Sequence, residues 1–287
     1  MSVTVGTEIV FNTRGLVVVR AAGVVLQAAA NEVVDHAGRH EVRPGQGGVL
    51  IAPRFGEPAD GWLADHLEPG ASVGDQDPSV DAALGILSCV GNRARVLDGP
   101  AAGAEGIVIG KHGAVLVAFG QAATALLAPG ERIVIDTHGL GLALEGEPDI
   151  AFRSCSPVVA HGLVASRTAD GRIRVAVARV LPAEAAAAGL GMPSVRFNID
   201  LQVDQPTTAG AAVGLRLGDV VAVLDQDHAY GRRYRPGWVA IGVVCHGSSI
   251  PGGHGLGMVT LLTGPLSRIE VVADPLACLG LFVAVPS

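Results

Sequence analysis

The sequence predicts a mainly β protein of barrel or sandwich type, made of small β-barrels with one or two short helices. Three observations predict it. Short Val/Ile/Leu-rich runs recur between Gly, Pro, Asn and Asp punctuation, each of strand length and rich in β-branched residues. Glycine supplies 40 of the 287 residues and proline 17, above averages of roughly 7% and 5%, which excludes a long coiled coil and disfavours an all-helical bundle. A mean hydropathy of +0.44 with 16% charged residues reverses the signature of disorder, so the chain can bury a sizeable core in one large or two smaller domains.

Taken in order, strands are predicted over residues 16–20, 48–52, 106–109, 114–119, 132–135, 173–180, 219–224 and 239–244. The segment 173–180 alternates along its length, as a half-exposed strand does. Helices are predicted over 77–87, with Asp77 as N-cap and Pro78 at the first helical position, and over the Ala-rich 182–189, which ends at Gly189. The organisation divides at residue 90. A β-rich segment, 1–90, carries an Asp-His-x-Glu loop and a barrel-like core fills 91–287, or the two form one integrated domain. Residues 127–136 and 215–225 echo each other as turn, Gly, acid, strand, Asp. The echo is either a duplicated small barrel or one common β-turn solution used twice.

The bulk numbers bound the function. A net charge of −7 disfavours a polyanion-binding surface, since nucleic-acid affinity rests on clustered Lys and Arg, so no nucleic-acid partner is expected. The four cysteines lack a Cys-x-x-Cys pair and regular spacing, which predicts reduced, mostly buried thiols rather than a zinc site or disulfide framework. Residues 1–15 lack a basic region followed by an apolar stretch, so no signal peptide is expected, and no uncharged stretch reaches spanning length. A cytoplasmic protein without a membrane partner is expected, and a β-rich chain with few charges is expected to cover its edges by homo-oligomerisation.

Several segments carry groups able to do chemistry. Five of the nine histidines, His112, His138, His161, His246 and His254, precede a glycine, the residue that lets a loop at a strand end turn sharply. Asp65, His66 and Glu68 pack two carboxylates and an imidazole into four residues before Pro69-Gly70. Such a group can ligate a divalent cation or orient a histidine as general base, or it can be a solvated acidic loop. The segment 225–235 places Asp225, Asp227 and Tyr230 beside Arg232, Arg233 and Arg235. Its guanidinium groups suit a carboxylate or phosphate held bidentately, or form surface ion pairs. Cys245 and His246 are strand neighbours that point to opposite faces, which sends Cys245 to the core and leaves His246 and His254 able to face one cavity. Of 20 basic side chains 19 are arginine and one, Lys111, is lysine. A primary amine can lose its proton when desolvated, which guanidinium cannot, so Lys111 beside His112 is read as a base or Schiff-base nucleophile.

The chain carries two resemblances. Residues 95–110 are similar to the strand-loop-strand of small β-barrel modules of the KOW type, but they lack the basic and aromatic interleaving that RNA binding uses, so the likeness is a fold signal. Over most of its length the chain resembles the prokaryotic family designated domain of unknown function 4438. The residues that carry the likeness are Pro44 to Gly48, Gly61-Trp62, Asp65 to Gly70, Cys89-Val90-Gly91-Asn92, Gly110-Lys111-His112-Gly113, Gly218-Asp219, Asp225 to Gly231 and Gly253-His254-Gly255-Leu256-Gly257. Asn92 thereby joins the substrate-binding residues. Where the family tends to carry Gly-Asp-Tyr-Asp, this chain has Phe197-Asn198-Ile199-Asp200, and Leu256 replaces a proline. If the first acid belongs to the site, substrate or metal use differs here.

These readings combine into one expectation: a small-molecule hydrolase or lyase acting on a polar anionic substrate. Lys111, His112, Asp65, His66 and Glu68 form its reacting centre, His246 and His254 line it, and Asn92, Asp225, Asp227, Tyr230, Arg232, Arg233 and Arg235 bind the substrate. A divalent metal on Asp65, His66 and Glu68 is an optional part. The alternatives are a non-catalytic metabolite-binding or assembly protein and, less well supported, a nucleic-acid-binding small barrel.

Overall fold

The structure, a computed structural model, describes residues 8–28, 31–34, 37–187, 192–202, 214–249 and 253–284. In chain order the strands of the first half are β1 (Val19–Val25), β2 (Asn31–Val34), β3 (His40–Arg43), β4 (Val49–Leu50), β5 (Gly70–Gly74), β6 (Arg93–Val96), β7 (Glu105–His112), β8 (Ala114–Phe119) and β9 (Arg132–Thr137). Those of the second half are β10 (Ala151–Phe152), β11 (Ser166–Arg167), β12 (Ile173–Val177), β13 (Arg179–Leu181), β14 (Ile199–Asp200), β15 (Val220–Asp227), β16 (Arg233–His246), β17 (Gly257–Pro265) and β18 (Ile269–Ala273). Three α-helices accompany them, α1 (Pro78–Leu87), α2 (Gln121–Thr124) and α3 (Pro157–Leu163). The protein is mainly β, as the sequence predicts. Among the described residues no helix is long and apolar enough to cross a membrane.

Pairing closes the first half into a barrel. The order β1-β9-β6-β7-β8-β5 returns to β1 through Val24–Gly74 and Val25–Val73, every pair antiparallel, with β4 added outside β5. Closure removes the exposed edges that an open sheet would present. Inward positions obey the period of two: Ala94 and Val96 on β6 and Ile133 and Ile135 on β9 meet Val73, Val108, Val115 and Val117 in one apolar interior. Strands before and after residue 90 are thus hydrogen-bonded in one barrel, and a division there does not separate two sheets.

The second half forms a sheet ordered β10-β17-β16-β15-β13, with β14 also on β17. Its central strands are buried on both faces. Val239, Ile241, Val243 and Cys245 join a core with Ile109 and Leu116 of the barrel, whereas Val244 and Met258 join another with Leu67, Leu181, Ile199 and Leu201. Strand β17 therefore reads as unbroken apolar sequence, which period two cannot find. Segment 173–180 is not one strand. Its first part, β12, lies parallel to β18, then Ala178 donates its N–H to Val220 O and the chain enters the larger sheet as β13.

Helix α1 starts where its cap requires, Asp77 accepting from Ser79 N and Val80 N with Pro78 at N1. Helix α3 repeats the device with Ser156 and Pro157, a start that the strand-rich surroundings hide in the sequence. The Ala-rich 182–189 does not form the expected helix. Residues Ala183–Ala185 make one 3-10 turn, the carbonyls of Ala186 and Ala187 accept from the Arg232 guanidinium, and Ala187 N donates to Asp200 O, so tertiary bonds override propensity; residues 188 and 189 lie outside the described residues.

Just past β15, His228 is fully buried. Its Nδ1 meets Thr260 Oγ1 at 2.8 Å and its Nε2 has no hydrogen-bond partner. Burial, and then the Arg232 charge, push its pKa down to about 4, against an opposing pull from Asp227. The unfolded chain binds this proton from about pH 6.5 downward and the fold does not, so stability is full above that pH and is lost as pH falls toward 4. We expect His228 to cost about 3 kcal/mol of unfolding free energy between pH 6.5 and 4. Denaturant unfolding at both pH values measures it, and a His228→Gln variant with the same pH slope as the wild type would remove this histidine as the cause.

Candidate functional site

The site forms where barrel and sheet end side by side. His112 closes β7 and His246 closes β16, and their rings come to 4.2 Å between centroids. The loop before β5 adds Asp65, His66 and Glu68. The loop before β17 adds His254, whose backbone exchanges both hydrogen bonds with Ser249. The short β14, paired with β17 through Ile199–Met258 and Asp200–Gly257, adds Asp200 and, just before the strand, Asn198. His66 stacks on His112 at 4.8 Å and lies 4.7 Å from His254. Its backbone holds φ 51°, a left-handed conformation uncommon outside glycine and a strain that clusters at functional sites. Gly257 is what admits His246: a Cβ there would sit 1.9 Å from its Nε2.

One side of every ring is tied down. His66 Nδ1 meets Asp65 Oδ2 at 3.1 Å, and His112 Nδ1 makes a short bond to Glu68 Oε1. His246 Nδ1 meets Gly247 O at 2.7 Å and His254 Nδ1 meets Gly255 O at 3.0 Å. Glu68 also accepts from Ser72 Oγ at 2.6 Å and Gly47 N at 2.9 Å. Burial pushes its carboxyl up, but the bonds from His112, Ser72 and Gly47 outweigh that and hold it below the usual range. On the opposite side, His66 Nε2 faces His254 Nε2 at 2.8 Å, and His246 Nε2 accepts from Asn198 Nδ2 at 2.8 Å. Asp200 Oδ1 lies 3.4 Å from His246 Nε2. Burial, then His112, lowers His246 to about 4 despite Asp200, and the same two causes lower His66 against the opposing pull of Asp65. Asp200 is lowered although burial opposes it, because the imidazoles of His246, His254 and His112 lie close. A hollow of about 390 Å³ bounded by Asp60, Trp62, Ser248 and His254 opens beside the cluster.

The structure thus brings together Asp65, His66, Glu68, His112, His246 and His254. It does not bring Lys111. Neighbours on a strand face opposite sides, and Lys111, 1% exposed, turns away from His112 to donate to Ser154 Oγ at 2.9 Å and Val195 O at 2.6 Å. Burial lowers its amine to about 8, with Cys89 opposing. The expected ligand set of Asp65, His66 and Glu68 is also corrected: Asp65 and Glu68 face the Nδ1 atoms of two different histidines. Among the described residues no three His, Cys, Asp or Glu side chains are in place to hold a metal ion.

The expected substrate-binding residues lie elsewhere, and all but Tyr230 are occupied. Asn92 accepts from Cys89 N and His138 N and donates to His138 O. Asp225 accepts from Gly237 N in a turn, and Asp227 takes Arg233 and Arg235, the latter also stacked on Trp238 at 3.7 Å. Arg232 is spent on the carbonyls of Ala186 and Ala187, and Tyr230 is exposed. Tyr230, Arg232 and Arg233 line a separate hollow with Arg153 and Val195. In the sequence, Asn198 and Asp200 stand out only within the segment 197–200 that departs from the family pattern. Their place beside His246 comes from the β14–β17 pairing, which no local signal announces.

Comparison with known proteins bears on the fold more than on the chemistry. Models described as Domain of unknown function (DUF4438), N-terminal, and Domain of unknown function (DUF4438), C-terminal, match residues 33–161 and 163–283. A crystal structure of TM1086 superposes with a TM-score of 0.88 at 34% identity, covering 97% of this chain and 100% of that one. No curated protein matches the chain. With two family models in the expected order and together spanning most of its length, the chain belongs to the DUF4438 family.

Proposed function

We propose that the chain is a small-molecule enzyme, a hydrolase or lyase that works by proton transfer at the four-histidine cluster. One observation carries the reading: four imidazoles share a site, each fixed by a bond at Nδ1. A histidine held this way by a carboxylate is oriented and set in the tautomer whose Nε2 is basic, the arrangement general acid–base catalysis needs. His112 oriented by Glu68 is the base, and His66 oriented by Asp65 is its partner across the stack. The substrate enters by the hollow bounded by Asp60, Trp62 and Ser248. Among the described residues an anionic substrate finds no free guanidinium in this cluster, and Asp65, Glu68 and Asp200 repel it, so recognition of an anion requires a protonated imidazole among the histidines.

A panel of polar esters, amides and hydroxy acids assayed for hydrolysis and elimination tests the proposal. We expect His112→Asn and Glu68→Gln each to lower kcat/KM by about 10²–10⁴-fold while leaving the fold intact. Wild-type turnover matched by His112→Asn would refute it. Lys111→Met, on the opposite face, is expected to retain turnover. A loss beyond about tenfold in a folded Lys111→Met protein would return the amine to the reaction.

A further inference from the structure

Beside the histidines lies a hollow whose other walls take no part in proton transfer. It holds about 390 Å³ and is lined by Asp60, Trp62, Gln202, Ser248 and His254, with glycine backbone between them. Trp62 belongs to the Gly61-Trp62 pair that carries part of the family likeness. Its indole N–H donates to Pro58 O at 2.8 Å, so the ring is tied, and what it offers a ligand is apolar surface, the residue being 42% exposed. The rest of the lining is polar and of mixed kind. Asp60 only accepts, and its Oδ1 takes the Ser248 hydroxyl at 2.7 Å. The Gln202 amide and the serine hydroxyl each combine donor and acceptor. Among the described residues the lining holds no arginine or lysine side chain. Backbone bonds fix the two loops that form the walls, His66 N donating to Ser248 O at 3.1 Å and Gly247 N to Leu67 O at 3.0 Å.

We infer that this hollow binds a neutral monosaccharide, which makes the substrate of the proposed enzyme a sugar rather than an anion. The inference deepens the proposed function and rests on it in calling the ligand a substrate. Three properties of the wall select that class. A sugar hydroxyl is donor and acceptor at once, so it pairs with a carboxylate, an amide and a hydroxyl alike, whereas a carboxylate or phosphate only accepts and meets Asp60 as a like charge. The C–H groups on one face of a pyranose ring are apolar, and an indole whose own N–H is spent covers them. The volume lies toward the lower end of the about 300–1,000 Å³ of small-molecule sites and suits one ring rather than a chain of them. A cationic amine would meet Asp60 and the indole but makes no use of the mixed donors and acceptors, and it serves as the contrast in the test. His254 lines the hollow and its ring lies 4.7 Å from that of His66, so a sugar seated on Trp62 borders the imidazoles that move the proton.

Calorimetric titration and tryptophan emission with D-glucose, D-galactose, D-mannose and D-fructose, set against D-glucuronate and D-glucosamine, test the inference. We expect a neutral sugar to bind with a dissociation constant of about 1 mM or below, and both charged sugars to bind at least about tenfold more weakly. Trp62→Ala should weaken the neutral sugar about tenfold, and Trp62→Phe, which keeps a ring, should stay within about threefold of the wild type. Trp238 is the second of the two tryptophans, so Trp238→Phe should keep the emission change and Trp62→Phe should lose it. Circular dichroism confirms folding, and if Trp62→Ala unfolds, those two emission spectra decide. Absence of binding by every neutral sugar, equal or tighter binding of glucuronate or glucosamine, unchanged affinity in folded Trp62→Ala protein, or an emission change that survives in Trp62→Phe would overturn the site. Sugar bound equally by the wild type and His112→Asn, with no turnover in either, would support this hollow while removing the catalytic reading. Turnover of an ester, amide or hydroxy acid without sugar binding would do the reverse.

Discussion

The arrangement depends on one close approach. At Gly110 on β7 an added Cβ would lie 2.3 Å from Cys245 Cβ on β16, so barrel and sheet touch backbone to side chain at a point where only glycine fits. Cys245 Sγ also reaches the Lys111 carbonyl at 3.6 Å. Two strands from separate sheets are thereby aligned close to their ends. That alignment sets the positions of His112 and His246, which leave the two strands side by side with rings 4.2 Å apart. The shared apolar core, in which Ile109 and Leu116 meet Ile241 and Val243, keeps the two halves from sliding. A shift of one residue on either strand would exchange the faces and send a histidine into the core.

The same alternation decides the fate of the lone lysine. Its ammonium is buried opposite the histidines, where a serine hydroxyl and a backbone carbonyl solvate it. The strand rule that separates Cys245 from His246 separates Lys111 from His112 equally, and applied at both places it moves the amine out of the reacting centre from sequence alone. Rarity in the composition is the misleading signal. A lysine retained among arginines marks a position where a compact cation fits, and that position is structural as readily as reactive.

Legibility elsewhere tracks the range of the interaction. The cap at Asp77 and the strand over 114–119 are local and are legible in the residues themselves. The barrel's closure through β1 and β5, the breadth of β17, and the unwinding of 182–189 by Arg232 each depend on partners far away in the chain, and no window of residues contains them. The candidate cluster divides the same way. Asp65, His66 and Glu68 announce themselves by spacing, and His112, His246 and His254 by glycine neighbours. The Arg232 to Arg235 stretch reads in sequence as an anion clamp or as ion pairs with its own aspartates, and the fold decides it, giving Arg233 and Arg235 to Asp227 and Arg232 to distant carbonyls. Asn198 and Asp200 come to notice only against the family pattern.

That departure from the pattern bears on the chemistry. An aspartate at 198 would present only acceptors toward His246, whose Nε2 is itself an acceptor because Nδ1 donates to Gly247 O, and the pair would need a proton or a cation of its own. Asn198 supplies a donor instead, to His246 at 2.8 Å and to Asp200 at 2.9 Å. One amide thus quiets two acceptors and removes a negative charge from the cluster.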